Sequence, residues 1–221
     1  MTNSWLDYFN EHYYNNLNPV NTVLKKGKIT SPADRGVIDN LWQRGDGFKL
    51  IFEKLLSKKQ NNFNIIETGT LRKDNNWWDG QSAKIFTDFV DKLQGSVKSV
   101  DINPKACQTA KRIISSKNFA VENSDSIVFL ENIDKSNIDL FYLDSYDCEW
   151  YDDESSAKHH LNEFKVIEPY LKNCIVAIDD NTRLISDNSR TGKGRLIFYY
   201  LESKNIKPIY DNYQLIYEFT K

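Results

Sequence analysis

The chain has 221 residues, with 29 Lys and Arg against 31 Asp and Glu; a net charge of −2 leaves no global basic field to hold nucleic acid. Hydrophobic residues make up 40% and charged residues 27%, an ordinary soluble composition in which no run reaches the ~18 apolar residues of a membrane helix. Cys107, Cys148 and Cys174 show no metal spacing and are odd in number, which argues against a disulfide framework and for a reducing, cytoplasmic setting.

In chain order, "MTNSWLDYFNEHYYNNLN" has neither a basic segment nor an apolar run, so no signal peptide is expected. Trp5, Tyr8, Phe9 and Tyr13 fall at helical spacing behind Ser4, a plausible N-cap. Ser31-Pro32 is a helix-start pair, and Phe48 to Leu56 forms an amphipathic helix. Residues 1–60 lack a convincing strand and read as a helical N-terminal cap.

From residue 61 to 221, strand and helix signals alternate. Apolar runs at 63–67, 96–101, 118–123, 138–144 and 174–180 read as strands. Helices are expected at 80–95, from Pro104 to about Ser116, and at 124–133, 155–171 and 191–204. "IKPIYDNYQLIYEF" (206–219) reads as a hairpin turning at Asp211-Asn212. Runs apolar on both faces, separated by helices, imply an α/β fold: a doubly wound, Rossmann-like sheet, mostly parallel with a C-terminal antiparallel hairpin. In such sheets ligands bind beyond the carboxyl ends of the strands.

Those ends are acidic: Glu67, Asp101, Asp125-Ser126, Asp144 and Asp179-Asp180. A single acidic strand end reads as a helix or turn cap; five on one edge raise each other's pKa and call for a cation or a hydroxyl-rich ligand. An acidic residue closing the second strand, ~20 or more residues past a glycine loop, accepts hydrogen bonds from ribose hydroxyls. Asp101 stands there, and its longer spacing from Glu67 fits an insertion at Lys73–Trp78.

The ordered set "IIETGT", "VKSVDINP", "ENSDS" and "IDLFYLDSYD", with the closing hairpin, resembles the class I S-adenosylmethionine-dependent methyltransferases over residues 61–221. The resemblance implies an S-adenosylmethionine site. It would comprise Glu67, Gly69 and Thr70 in the first loop and Ser82 at the next helix start. Asp101 with Ile102 would lie at the ribose, Asp125 with Ser126 at the adenine, and Asp144 after the fourth strand. "YLDSYD" followed by "VAIDDN" resembles the metal-dependent macrocin- and catechol-type O-methyltransferases. Carried over, Asp144, Asp179 and Asp180 would bind Mg²⁺ or Mn²⁺, with Asn181 replacing one if the register slips. Hard carboxylate oxygens suit such an ion, which would lower the pKa of an acceptor hydroxyl.

Other residues keep two readings. His159 and His160 supply a general base beside Asp144, or form a helix face. Trp77-Trp78 stack on a planar substrate, or fasten the insertion to the sheet. Arg72 and Lys73, and Arg190, Lys193 and Arg195 in "SRTGKGRL", meet an anionic ligand or remain loop charges; the Gly-Lys-Gly lacks P-loop spacing. Cys148, near acidic neighbours, is a poor nucleophile. The expected activity is metal-assisted O-methylation of a small-molecule hydroxyl. The alternatives are a nucleotide-sugar or other nucleotide-binding enzyme, and a non-catalytic nucleoside-binding module. No membrane or nucleic-acid partner is expected. Oligomeric state is open, the aromatic N-terminal helix being a candidate homodimer contact.

Overall fold

The structure, a computed structural model, describes residues 3–18, 23–25, 28–30 and 35–220. Among these, seven strands form one sheet in the order β10-β11-β7-β6-β3-β4-β5. Its strands are β3 (Phe63–Thr68), β4 (Gly95–Asp101), β5 (Phe119–Asn123), β6 (Leu140–Leu143), β7 (Cys174–Ile178), β10 (Tyr210–Asp211) and β11 (Leu215–Phe219). β3 to β7 run parallel; β11 pairs antiparallel with β7 and β10 with β11. The winding reverses between β3 and β6, which makes their carboxyl ends the crevice where such sheets bind ligands.

Side-chain alternation explains the layers. Ile65, Tyr142, Ala177 and Ile216 face one apolar layer, while Ile66, Phe141, Val176 and Leu215 face the other. The first layer is covered by α1 (Asn3–Phe9), a π-helical turn (Asn10–Tyr14), α2 (Gly45–Lys58) and α3 (Ser82–Leu93). Trp5 meets Phe52 and Phe89 edge-on, each with ring centroids 5.1 Å apart. Such pairs add about 0.5–1.5 kcal/mol beyond the area they bury. The aromatic face read as a candidate dimer contact is therefore inside this chain: Trp5, Phe9 and Tyr13 are all buried. The second layer is covered by α5 (Ser126–Asn132), α6 (Glu154–Ile167) and α7 (Arg195–Glu202), and α4 (Pro104–Ile113) packs near β5.

Several boundaries differ from the sequence expectations. Residues before 60 contain an antiparallel strand pair, β1 (Val23–Lys25) and β2 (Lys28–Thr30). The Ser31-Pro32 helix start lies outside the described residues. No helix runs through 35–44, because Gly36 and Trp42 have φ of 67° and 63°, which a right-handed helix cannot contain. That segment instead bridges through Val37 to Leu184. The helix expected from 191 begins at Arg195. Before it, β9 (Arg190–Gly192) pairs with β8 (Asn181–Arg183) as a separate hairpin. Asp211 pairs with Leu215, so the last turn is Asn212–Gln214 rather than Asp211-Asn212. No described helix is long and apolar enough to cross a membrane.

Candidate functional site

A cavity of about 400 Å³ opens at the carboxyl ends of β3, β4, β5 and β6. Its floor is the loop after β3, where Gly69 and Thr70 line it. Gly69 has φ of 84°, and a Cβ there would lie 2.5 Å from the Asp144 carbonyl oxygen. Only glycine lets the loop fold this closely over the end of β6. Ser82 lines the wall from the start of α3, Asp101 and Ile102 from the end of β4, Asp125 and Ser126 from the start of α5, and Asp144 from the end of β6. Eight of the nine residues assigned to the cofactor thus share one cavity. The ninth, Glu67, is buried beneath the loop and does not line it. The Ser99 hydroxyl donates to Glu67 Oε2 at 2.7 Å. Burial pushes the Glu67 carboxyl up to about 7, against the opposing Ser82 and Ser99 hydroxyls.

Asp101 and Asp125 both make the capping contacts expected of a lone acidic strand end. Asp101 Oδ1 accepts from the Asn103 N–H at 2.7 Å. Asp125 is the N-cap of α5, its Oδ1 accepting from the N–H groups of Ile127 and Val128. Asp125 Oδ2 takes part in neither bond. Ile102 is 73% exposed, an apolar surface beside the acidic strand end.

The β6 and β7 ends are arranged differently. Oxygens of Asp144, Asp179 and Asp180 lie within 4.8 Å of one another, the convergence expected of metal ligands. Two buried cations stand among them. Lys193 Nζ donates to Asp144 Oδ1 at 2.5 Å and lies 2.8 Å from Asp180 Oδ2. Arg44 donates from Nε to Asp179 Oδ2 at 2.6 Å and from Nη2 to Asp180 Oδ1 at 3.2 Å. Its guanidinium lies 4.7 Å from the ring centre of Tyr213, whose hydroxyl donates to Asp180 Oδ1. Asp180 itself takes φ of 54°, a left-handed conformation that aspartate tolerates in turns. Burial alone would lower the Lys193 amine, but Asp144 and Asp180 more than reverse this and hold it above the usual lysine range. Burial likewise opposes the charge on Asp180, yet Lys193 and Arg44 hold its carboxyl below the usual range. Asn181 does not face the cluster. Its amide donates to the carbonyls of Ile178 and Asp179 and accepts from the Gly194 N–H, fixing the turn after β7.

The two histidines separate. His159 lines the cavity; its Nε2 lies 2.8 Å from Ser126 Oγ and 3.3 Å from Glu163 Oε1. The hydrogen bond with Glu163 raises its pKa, against partial burial. His160 is fully buried, its Nδ1–H donating to the Ser156 carbonyl at 2.7 Å, and burial pushes it down to about 4. It is neutral and enclosed, out of reach of a ligand in the cavity. Glu163, which sequence reasoning did not single out, also accepts from Ser145 Oγ at 2.6 Å and Thr68 Oγ1 at 3.2 Å. The signal was present in "HHLNE": residues three and four apart share a helix face.

The insertion after Thr70 closes one side. Arg72 lines the cavity and reaches Asp147 at 2.7 Å and Asp79 at 3.3 Å. Trp77 packs toward Tyr13 with centroids 6.0 Å apart, and Trp78 meets Trp42 edge-on at 5.0 Å, so both fasten the insertion to the N-terminal region. The Trp78 carbonyl accepts from Arg44. Arg190 makes a bidentate pair with Asp211, and Arg195 does so with Asp153. Burial pushes the Cys148 thiol up to about 12.

No protein-family profile matches the chain, and no curated protein sequence matches it. Solved structures do. One is the MycE methyltransferase of the mycinamycin biosynthetic pathway, in complex with Mg, S-adenosylhomocysteine and mycinamycin VI. It matches with a TM-score of 0.55 at 14% identity, over 81% of this chain and 49% of that one. The chain thus spans about half the length of that protein. Another is CalS11, a TDP-rhamnose 3'-O-methyltransferase of calicheamicin biosynthesis, with a TM-score of 0.51 at 14% identity over 81% of this chain and 80% of that one. The fold is that of the class I S-adenosylmethionine-dependent methyltransferases. In this methyltransferase fold the cavity described above lies at the reversal of the sheet, on the carboxyl side of its strands.

Proposed function

We propose that the protein is an S-adenosylmethionine-dependent methyltransferase acting on a hydroxyl oxygen of a small molecule. The observation that carries this is the meeting, in one cavity, of the Gly69 loop with Asp101 and Asp125 from successive strand ends. The residues fit the cofactor. The volume lies within the range of ~300–1,000 Å³ usual for ligand pockets. Asp101 offers acceptors to ribose hydroxyls, Asp125 Oδ2 to an exocyclic amine, and Ile102 an apolar face to a purine. Bound there, S-adenosylmethionine would supply an electrophilic methyl group on a sulfonium sulfur. The chain's part is to hold and orient, which is the larger share of such a transfer. Of the titratable groups that line the cavity, we assign Asp144 and His159 to take the proton released from the acceptor hydroxyl.

A divalent cation suits the donor chemistry of Asp144, Asp179 and Asp180 but not their present arrangement. Four of their six carboxylate oxygens are engaged by Lys193 and Arg44. An ion there would have to displace a buried ammonium or guanidinium to reach those four, so the transfer is proposed without one. A hydroxyl acceptor is supported by the likeness to CalS11, whose name specifies O-methylation of a nucleotide sugar.

Isothermal titration with S-adenosylmethionine and S-adenosylhomocysteine tests the reading, with saturable binding of both expected. No heat and no thermal shift with either would sink it. A shift with a nucleoside diphosphate sugar alone would favour the nucleotide-sugar alternative.

A further inference from the structure

The Gly-Lys-Gly of "SRTGKGRL" is built to deliver one side chain. Gly192 has φ of 110°, and a Cβ there would lie 2.2 Å from the Asp180 carbonyl oxygen; at Gly194 it would lie 2.5 Å from Asn181 Oδ1. Gly192 accepts no larger residue without moving the backbone after β7, and at Gly194 a Cβ would press on the Asn181 and Leu215 side chains. The backbone is pinned at three successive N–H groups. Gly192 donates to Asp153 Oδ2 at 2.8 Å, Lys193 to the Asp180 carbonyl at 3.1 Å, and Gly194 to Asn181 Oδ1 at 2.8 Å. The result places Lys193, almost wholly buried, with its ammonium between Asp144 and Asp180. Arg44 closes the opposite side against Asp179 and Asp180. Three carboxylates against two cations leave a formal charge of −1 on the cluster. A second, independent sign of tight construction is Asp180, held left-handed at the point where the loop meets the strand end.

We propose that Lys193 is the resident cation of the Asp144–Asp179–Asp180 cluster, a tethered ammonium in the place a divalent ion would take, and that the cluster binds no divalent ion while it is there. Asp144 is the member of the three that lines the cavity, so Lys193 acts through it: it sets the charge and orientation of the carboxylate that an acceptor would meet. Lys193 is a positioning residue. The inference takes from the methyl-transfer reading only the location of the acceptor beside Asp144. The cation itself is read from the loop and the ion pairs.

The test is a Mn²⁺ titration of the full chain, followed by calorimetry and by loss of the free-ion electron paramagnetic signal. Wild type is expected to show no saturable site. Lys193→Ala, which leaves the cluster at −2 with one carboxylate oxygen from each of the three residues within 4.8 Å of the others, is expected to bind one Mn²⁺ at least about tenfold more tightly than wild type. Adding Asp180→Asn to that variant should remove the site again. A stoichiometric wild-type site that Asp180→Asn abolishes would overturn the proposal, as would a folded Lys193→Ala that gains no Mn²⁺ affinity. If Lys193→Ala does not fold, Lys193→Met keeps the apolar stem, and the same two outcomes apply. S-adenosylhomocysteine binding, measured in parallel on wild type, reports separately on the cofactor reading; its failure would leave the Mn²⁺ result standing.

Discussion

Asp101 and Asp125, at the β4 and β5 ends, border an open cavity, whereas Asp144, Asp179 and Asp180, at the β6 and β7 ends, close on Lys193 and Arg44. The residue type and its position on the strand are the same in both halves of the edge. The surroundings differ. On the first side, short loops lead straight into α4 and α5, and the carboxylates are capped by backbone N–H groups. On the second, the 35–44 segment and the β8–β9 hairpin fold over the strand ends and bring side-chain cations. A carboxylate at a strand end is thus a placement, and the chain packed above it decides whether it waits for a ligand or is already paired.

The largest effect that would break this contrast is at Arg44. Arg44→Ala removes one cation from a buried network, and such losses cost about 3–5 kcal/mol. Urea unfolding should show a drop of that size. A drop below about 1 kcal/mol would mean the second side is wet and loosely paired.

Next is Glu67, under the floor that both sides share. Its carboxyl titrates near 7 in the fold, against 4.5 as its ordinary value. The folded state therefore holds the proton that the unfolded chain has released, and stability falls as pH rises from about 4.5 to 7. Glu67→Gln removes that loss. The variant should gain up to about 3 kcal/mol over wild type at pH 8 and little at pH 4.5. Equal effects at both pH values would show that Glu67 is not held neutral.

Asp101→Asn tests the open side. It should weaken S-adenosylhomocysteine binding about 10- to 100-fold, the size of losing hydrogen bonds to a charged acceptor, with the unfolding midpoint nearly unchanged. Unaltered affinity would remove the ribose role. The smallest effect is at the rim. Arg72 and Asp147 pair across the cavity mouth, where Asp147 is 82% exposed. A double-mutant cycle should return a coupling of no more than about 1 kcal/mol, lost in high salt.

The fold was legible because its signal is local. Runs such as "CIVAI" and "LFYL" are buried at every position, which marks central parallel strands. The residues that border the cavity were named from the acidic strand ends together with the resemblance to the class I methyltransferases. The second side was only half legible. Its three aspartates were read from strand ends, but Arg44 lies 135 residues from Asp179, in a stretch whose local pattern suggested a helix. Lys193 was noticed with Arg190 and Arg195 as a candidate for an external anion; each instead meets a carboxylate of the chain itself. Local periodicity carries no information about such distant pairings. His159 and His160, adjacent in sequence, ended in different environments because neighbouring helix positions point about 100° apart.

A cation carried on a lysine stem is present once per chain whatever the medium contains. It cannot be chelated, starved or exchanged for a competing ion, and its ordering entropy is settled once, during folding, rather than at each binding event. The tether also fixes the reach. An ammonium anchored beside Gly192, where a side chain would collide with the backbone, has little freedom to follow a moving substrate. With Lys193 so held, variation in the acceptor would have to be met elsewhere, by the insertion and the loop after β6 that link through Arg72 and Asp147 at the mouth of the cavity.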